Sequence, residues 1–154
     1  MAKDLIFGKA EAEFLRELVR QDVDFMIVGL SAAALQGAPV VTQDIDLWFR
    51  ELDHPGIRRA LEKVNGIYIP PTGSTPPMFG GDAVNLFDIV SHMHGLRSFG
   101  HEKRHAIDVP LGRFKVKVLG LERIIKSKRA TGRQKDKLVL PVLSDTLKAI
   151  GEAK

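Results

Sequence analysis

Asp44 and Asp46 stand one residue apart in Thr42-Gln43-Asp44-Ile45-Asp46-Leu47-Trp48-Phe49, and a third acid, Asp88, interrupts the apolar run Leu86-Phe87-Asp88-Ile89-Val90. In an extended strand, residues i and i+2 leave the same face, so Asp44 and Asp46 project together while Ile45 and Leu47 project the other way. Their Cα atoms are then separated by two strand rises, roughly 6.6 Å, a spacing at which both carboxylates can reach one cation or one can bridge two. Repulsion alone disfavours such a pair. A divalent ion relieves it, and Mg²⁺ takes oxygen ligands while keeping positions open for water and substrate phosphates. Asp88 is the expected third ligand, because a charge within an apolar strand needs a partner.

Upstream of the aspartates, Gly29 and Ser31 fall where a strand turns into a helix. A backbone without Cβ and the free N–H groups of a helix start can cradle a phosphate there. Downstream, residues 113 to 137 hold ten lysines or arginines against Glu122 and Asp136, while the rest of the chain is net acidic. Lys128 and Arg133 in this stretch can neutralise the charge of a phosphate leaving group; the alternative is that they are solvated helix charges.

The elements that must position these residues are marked by periodicity. Ala10, Phe14, Leu15 and Leu18 recur at helical spacing between Gly8 and Gln21, which predicts an amphipathic first helix. Phe25-Met26-Ile27-Val28 predicts a strand ended by Gly29, with Ser31 capping a short helix over Ala32 to Gln36. Gly37-Ala38-Pro39 ends that helix, and the strand of Asp44 and Asp46 follows. Pro55 starts a helix through Ile57, Ala60, Leu61 and Val64, stopped by Asn65-Gly66. Residues 70 to 82, with four prolines and three glycines, predict a mobile flap or irregular crossing. Asn85 to Val90 predicts a third strand, and Ala106 to Val109 with Phe114 to Val118 a hairpin about Pro110-Leu111-Gly112. A basic helix over Leu121 to Ala130 and a last helix over about Lys135 to Ile150, kinked at Pro141, complete the chain.

At 154 residues and 44% apolar composition, one core is expected: a single domain over 1–154 whose C-terminal segment, 120–154, is basic and helical. There is no cysteine, which removes disulfides, thiolate nucleophiles and Cys-ligated zinc and is consistent with a reducing compartment; cytoplasm is the default expectation. Met1-Ala2-Lys3-Asp4 is not followed by an apolar signal core, and the longest apolar run, Phe25 to Leu35, is broken by Gly and Ser, so no membrane association is expected.

Val28-Gly29-Leu30-Ser31-Ala32 through Gly37, then Thr42-Gln43-Asp44-Ile45-Asp46-Leu47, together with the later Asp88 and the segment Lys128-Arg129-Ala130-Thr131-Gly132-Arg133-Gln134-Lys135-Asp136, resembles the DNA polymerase β-type nucleotidyltransferase superfamily. The likeness is to its small stand-alone members, including those related to AbiE-type toxins, and covers about residues 23 to 143. It implies an α+β fold with a mixed sheet of about five strands flanked by helices. It implies that Asp44, Asp46 and Asp88 bind two Mg²⁺ ions, or Mn²⁺ in their place, and that Gly29 and Ser31 hold the β and γ phosphates of an NTP, ATP foremost. The implied reaction is transfer of a nucleoside monophosphate to an acceptor hydroxyl on tRNA or another RNA, a protein or a small molecule. Homo-oligomers and helical partner proteins are the associations it suggests. Two positions depart from the pattern: Leu30 stands where many relatives have a second Gly, and Val40 where many have Arg.

Those departures support a second class of function, a nucleotide-binding or toxin–antitoxin subunit with weakened turnover. A third is RNA binding through the basic 113 to 137 segment, in which Phe114 is the lone aromatic. A fourth is hydrolysis, since Gly29-Leu30-Ser31-Ala32-Ala33 mimics a nucleophile elbow followed by Asp88 and His94 or His105; the motif, however, wants Gly at its last position. His92, His94, His101 and His105 lack the spacing of a known metal site and read as loop or surface residues. Trp48 and Phe49 read as core and rim rather than as a base-stacking platform.

Overall fold

A computed structural model describes residues 7–153; Met1–Asp4, the start examined for a signal core, lie outside that range. Among the described residues no helix is long and apolar enough to cross a membrane. The expected mixed sheet is present among the described residues, with five strands. Among the described residues six helices flank it: α1 (Lys9–Arg20), α2 (Gly29–Leu35), α3 (Pro55–Lys63), α4 (Phe99–Lys103), α5 (Leu121–Thr131) and α6 (Gln134–Ala153). The sheet strands are β1 (Phe25–Val28), β2 (Ile45–Phe49), β5 (Phe87–Val90), β6 (Ala106–Leu111) and β7 (Phe114–Leu119). β1 is antiparallel to β2 and parallel to β7, β2 is parallel to β5, and β6–β7 is the predicted hairpin.

Alternation in β2 settles which face is which. Phe49 of β2 and Phe87 of β5 meet Phe14 of α1 and Phe79 on one side of the sheet, with ring centroids 5.2 to 5.9 Å apart. Trp48 leaves the other side and packs edge-on against Phe99 of α4 at 5.7 Å. Both aromatics of β2 are therefore core, buried to 2% and 5% exposure. Asp46 shares the Trp48 face, so it is directed between the sheet and the helices laid over that side.

The structure corrects two local expectations and adds one helix. Residues 70 to 82 are not a featureless flap: β3 (Ile67–Ile69) pairs antiparallel with β4 (Met78–Gly80), and a Thr72–Thr75 bridge closes the intervening turn. The prolines sit in the connection, where no ladder N–H is required of them, and Phe79 anchors β4 in the core. Ser31 does not cap α2, which begins at Gly29 with Val28 as its N-cap; the serine hydroxyl donates to Val28 O at 3.0 Å. α4, capped by the Ser98 hydroxyl, has no counterpart in the sequence reading.

Two polar contacts lock the layers. Gln36 Nε2 donates to Ala32 O and to Leu119 O at 2.9 Å, while its Oε1 accepts from Leu121 N at 3.0 Å, so one side chain ties the end of α2 to the end of β7 and the start of α5. Glu102 of α4 is fully buried, accepting from Arg123 Nε at 2.7 Å, Arg123 Nη2 at 2.8 Å and the Arg97 backbone N–H at 2.9 Å. Burial pushes its carboxyl pKa up, but these donors outweigh burial and hold it below the ordinary value. Because deleting one partner of a buried pair strands the other charge, Arg123→Met is expected to destabilise the fold by about 3 kcal/mol. Denaturant unfolding at neutral pH measures this, and a change within the noise of a surface substitution would show the pair to be dispensable.

Candidate active site

The sheet register brings two of the predicted acids, Asp46 and Asp88, into one row. Asp46 pairs with Val28 across the antiparallel β1–β2 ladder and with Asp88 across the parallel β2–β5 ladder. Asp44 lies just before β2 rather than within it, its carbonyl held by the Thr42 hydroxyl at 3.0 Å. All three aspartates line one cavity of about 440 Å³, together with Leu30, Lys128, Arg133 and Lys135. Among the described residues, no three acid or histidine side chains are gathered closely enough to hold a metal ion by themselves.

Gly29 follows Val28 and adopts φ +70, the left-handed region that L side chains rarely enter. A Cβ built there would stand 2.3 Å from Asp46 Oδ2. This glycine is thus required twice, by its backbone conformation and by the carboxylate against it. The tight bend and the acids share one end of the sheet.

The electrostatics reflect that crowding. Burial first, then Asp88 and Asp44, push the Asp46 carboxyl up to about 6, while Lys128 and Lys135 pull it down. Asp88 is likewise raised, by burial and by Asp44. Three carboxylates whose mutual repulsion is only partly offset are of the type a hard divalent cation takes, and closing on one ion would require these side chains to draw together.

A second cavity of about 400 Å³ adjoins the first and shares Asp46, Lys128 and Arg133 with it; its own lining includes Gly29, Val90, His92, His94 and Ser127. His92 and His94 have ring centroids 6.3 Å apart, whereas His101 and His105 pair separately at 5.6 Å.

Of the seven residues singled out, the structure gathers six: Asp44, Asp46, Asp88, Gly29, Lys128 and Arg133. Ser31 is the exception, at 1% exposure with its hydroxyl turned back on Val28. That orientation leaves any polar contact at the bend to the backbone, and it also removes the serine nucleophile that a hydrolase reading needs. Asp136 was read only as a charge, yet it is buried and bonds both Lys128, at 3.1 Å, and Arg133, at 2.7 Å. The signal available for it was its place at the end of the Lys128–Asp136 segment.

The raised Asp46 has a stability consequence with a defined sign. An acid whose folded-state pKa exceeds its ordinary 3.8 favours the fold when protonated; that contribution is complete below 3.8 and is lost as pH rises through about 6. Metal-free Asp46→Asn is therefore expected to be more stable than the parent at about pH 8, by on the order of 2 kcal/mol, with the gap closing towards pH 4. Thermal melts in a chelator across that range measure it, and superimposable curves for the two proteins would refute it.

No family model matches the chain, and no curated protein does. Solved structures do. The antibiotic-resistance factor ANT(2'')-Ia superposes in its solution structure with a TM-score of 0.64 at 12% identity, over 96% of this chain and 86% of that one. Its crystal structure in complex with adenylyl-2''-tobramycin gives 0.58 at 13% identity, over 91% and 88%. A protein from Thermotoga maritima described as a nucleotidyltransferase gives 0.57 at 19% identity, over 93% and 91%. Likeness at these identities speaks to architecture, and the architecture of this chain is the nucleotidyltransferase fold.

Proposed function

We propose that the protein is a nucleotidyltransferase that moves a nucleoside monophosphate from an NTP to an acceptor hydroxyl with the help of Mg²⁺. The observation that carries this reading is the row Val28, Asp46, Asp88, which sets two carboxylates side by side, against a glycine bend and within the same cavity as Asp44 and three cationic side chains. Asp44, Asp46 and Asp88 would hold the metal, which supplies charge neutralisation at the phosphates and lowers the barrier to acceptor attack. Lys128, Arg133 and Lys135 offset charge on the departing pyrophosphate. Asp88 would accept the proton of the attacking hydroxyl. ANT(2'')-Ia, whose crystal structure holds adenylyl-2''-tobramycin, supports a small-molecule hydroxyl as one acceptor class; RNA or a protein are the others. Calorimetry of ATP and the other NTPs with and without Mg²⁺ tests the site: metal-dependent binding is expected, with a loss of about tenfold or more in Asp44→Asn. Identical weak binding by both proteins would sink the proposal, and labelled NTP with RNA, lysate or aminoglycoside then identifies the acceptor.

A second reading, nucleotide binding with weakened turnover, is favoured by Leu30, whose residue lines the aspartate cavity where a smaller one would leave room. If Leu30 crowds the triphosphate, Leu30→Gly raises turnover or affinity by roughly tenfold, the scale set by a methylene-sized misfit in a pocket. Unchanged kinetics would show that the leucine is no obstacle.

A further inference from the structure

Asp136 is 2% exposed and lies in the first turn of α6, outside the row of acids just described. Its Oδ1 takes Lys128 Nζ at 3.1 Å; its Oδ2 takes Arg133 Nε at 2.7 Å and the Thr131 hydroxyl. Thr131 Oγ1 also lies 2.9 Å from Lys128 O, so its single proton is shared between that carbonyl and the carboxylate at the corner between α5 and α6. Burial pushes Asp136 up, but the hydroxyl and the two cations hold it at about 2, and it stays anionic near neutrality.

Lys128 and Arg133 line both the aspartate cavity and its neighbour. The wall that the two cavities share is therefore set by where Asp136 holds these side chains. We propose that Asp136 is a positioning residue, whose buried carboxylate keeps Lys128 and Arg133 at the cleft so that an incoming polyphosphate meets both cations already in place. The proposal rests on the nucleotide reading above. A long basic side chain that is free in solution loses its rotamer freedom on binding an anion; one already bonded has lost it beforehand. Neither cation is used up, because an ammonium has three donors and a guanidinium five.

The test is calorimetry of Mg²⁺ with inorganic tripolyphosphate, on the parent, Asp136→Asn, Thr131→Val, Lys128→Met and the Lys128→Met/Asp136→Asn pair, each checked by thermal melting. Asp136→Asn is expected to weaken binding roughly tenfold, and Thr131→Val, which keeps the carboxylate and loosens it, about threefold. If Asp136 acts through Lys128, its loss adds little in the Lys128→Met background. Should Asp136→Asn lower the melting point while its folded form binds as tightly as the parent, Asp136 is only a corner bond and the proposal is overturned. Should Asp136→Asn not fold, Thr131→Val decides, and parental affinity there overturns it. A parent that binds no tripolyphosphate brings down the nucleotide reading and this proposal together.

Discussion

Like charges forced into one small volume are the constraint on which the molecule turns. The β1–β2 and β2–β5 ladders place Asp46 directly beside Asp88, and the burial of Asp46 denies it the solvent that would screen the repulsion. Everything around that pair accommodates it. Gly29 gives up its side chain so that the carboxylate can lie against the bend, and Lys128 and Lys135 supply partial compensation from the helices laid over the sheet. That cost, at the end of the sheet where the glycine bend lies, is one that the proposed metal-binding role would relieve.

The scaffold absorbs the strain because its core is conventional. One sheet face is sealed by the aromatic cluster of Phe14, Phe49, Phe79 and Phe87, and the other by Trp48 against Phe99. Glu102 and Arg123 pin α4 to α5 beneath the same face that carries the acids. The rigid parts thus flank the electrostatically frustrated part on both sides.

Much of this was legible in residue order alone, for physical reasons that also explain the failures. Helices with three or more turns of apolar spacing, such as the one bearing Phe14, Leu15 and Leu18, announce themselves, and so do strands whose residues alternate, as Ile45, Leu47 and Phe49 do. The acids were visible because a charge in an apolar run is conspicuous. α4 spans five residues, too few for a period to emerge. The β3–β4 pair hid among prolines because its pairing depends on Phe79 finding a core built by distant segments. Ser31 was misjudged because a hydroxyl's direction is decided by which backbone carbonyl is within reach, and Val28 O is nearer than any cleft. Asp136 was overlooked for a related reason: its burial arises only when α6 folds back on α5, which composition does not reveal.

The Gln36 strap carries a mechanical implication. By bonding Ala32, Leu119 and Leu121 at once, that amide welds the helix after the glycine bend to the root of the helix bearing Lys128. Parting α2 from α5 would break all three of these bonds together, which makes it a costly way for the cleft to widen.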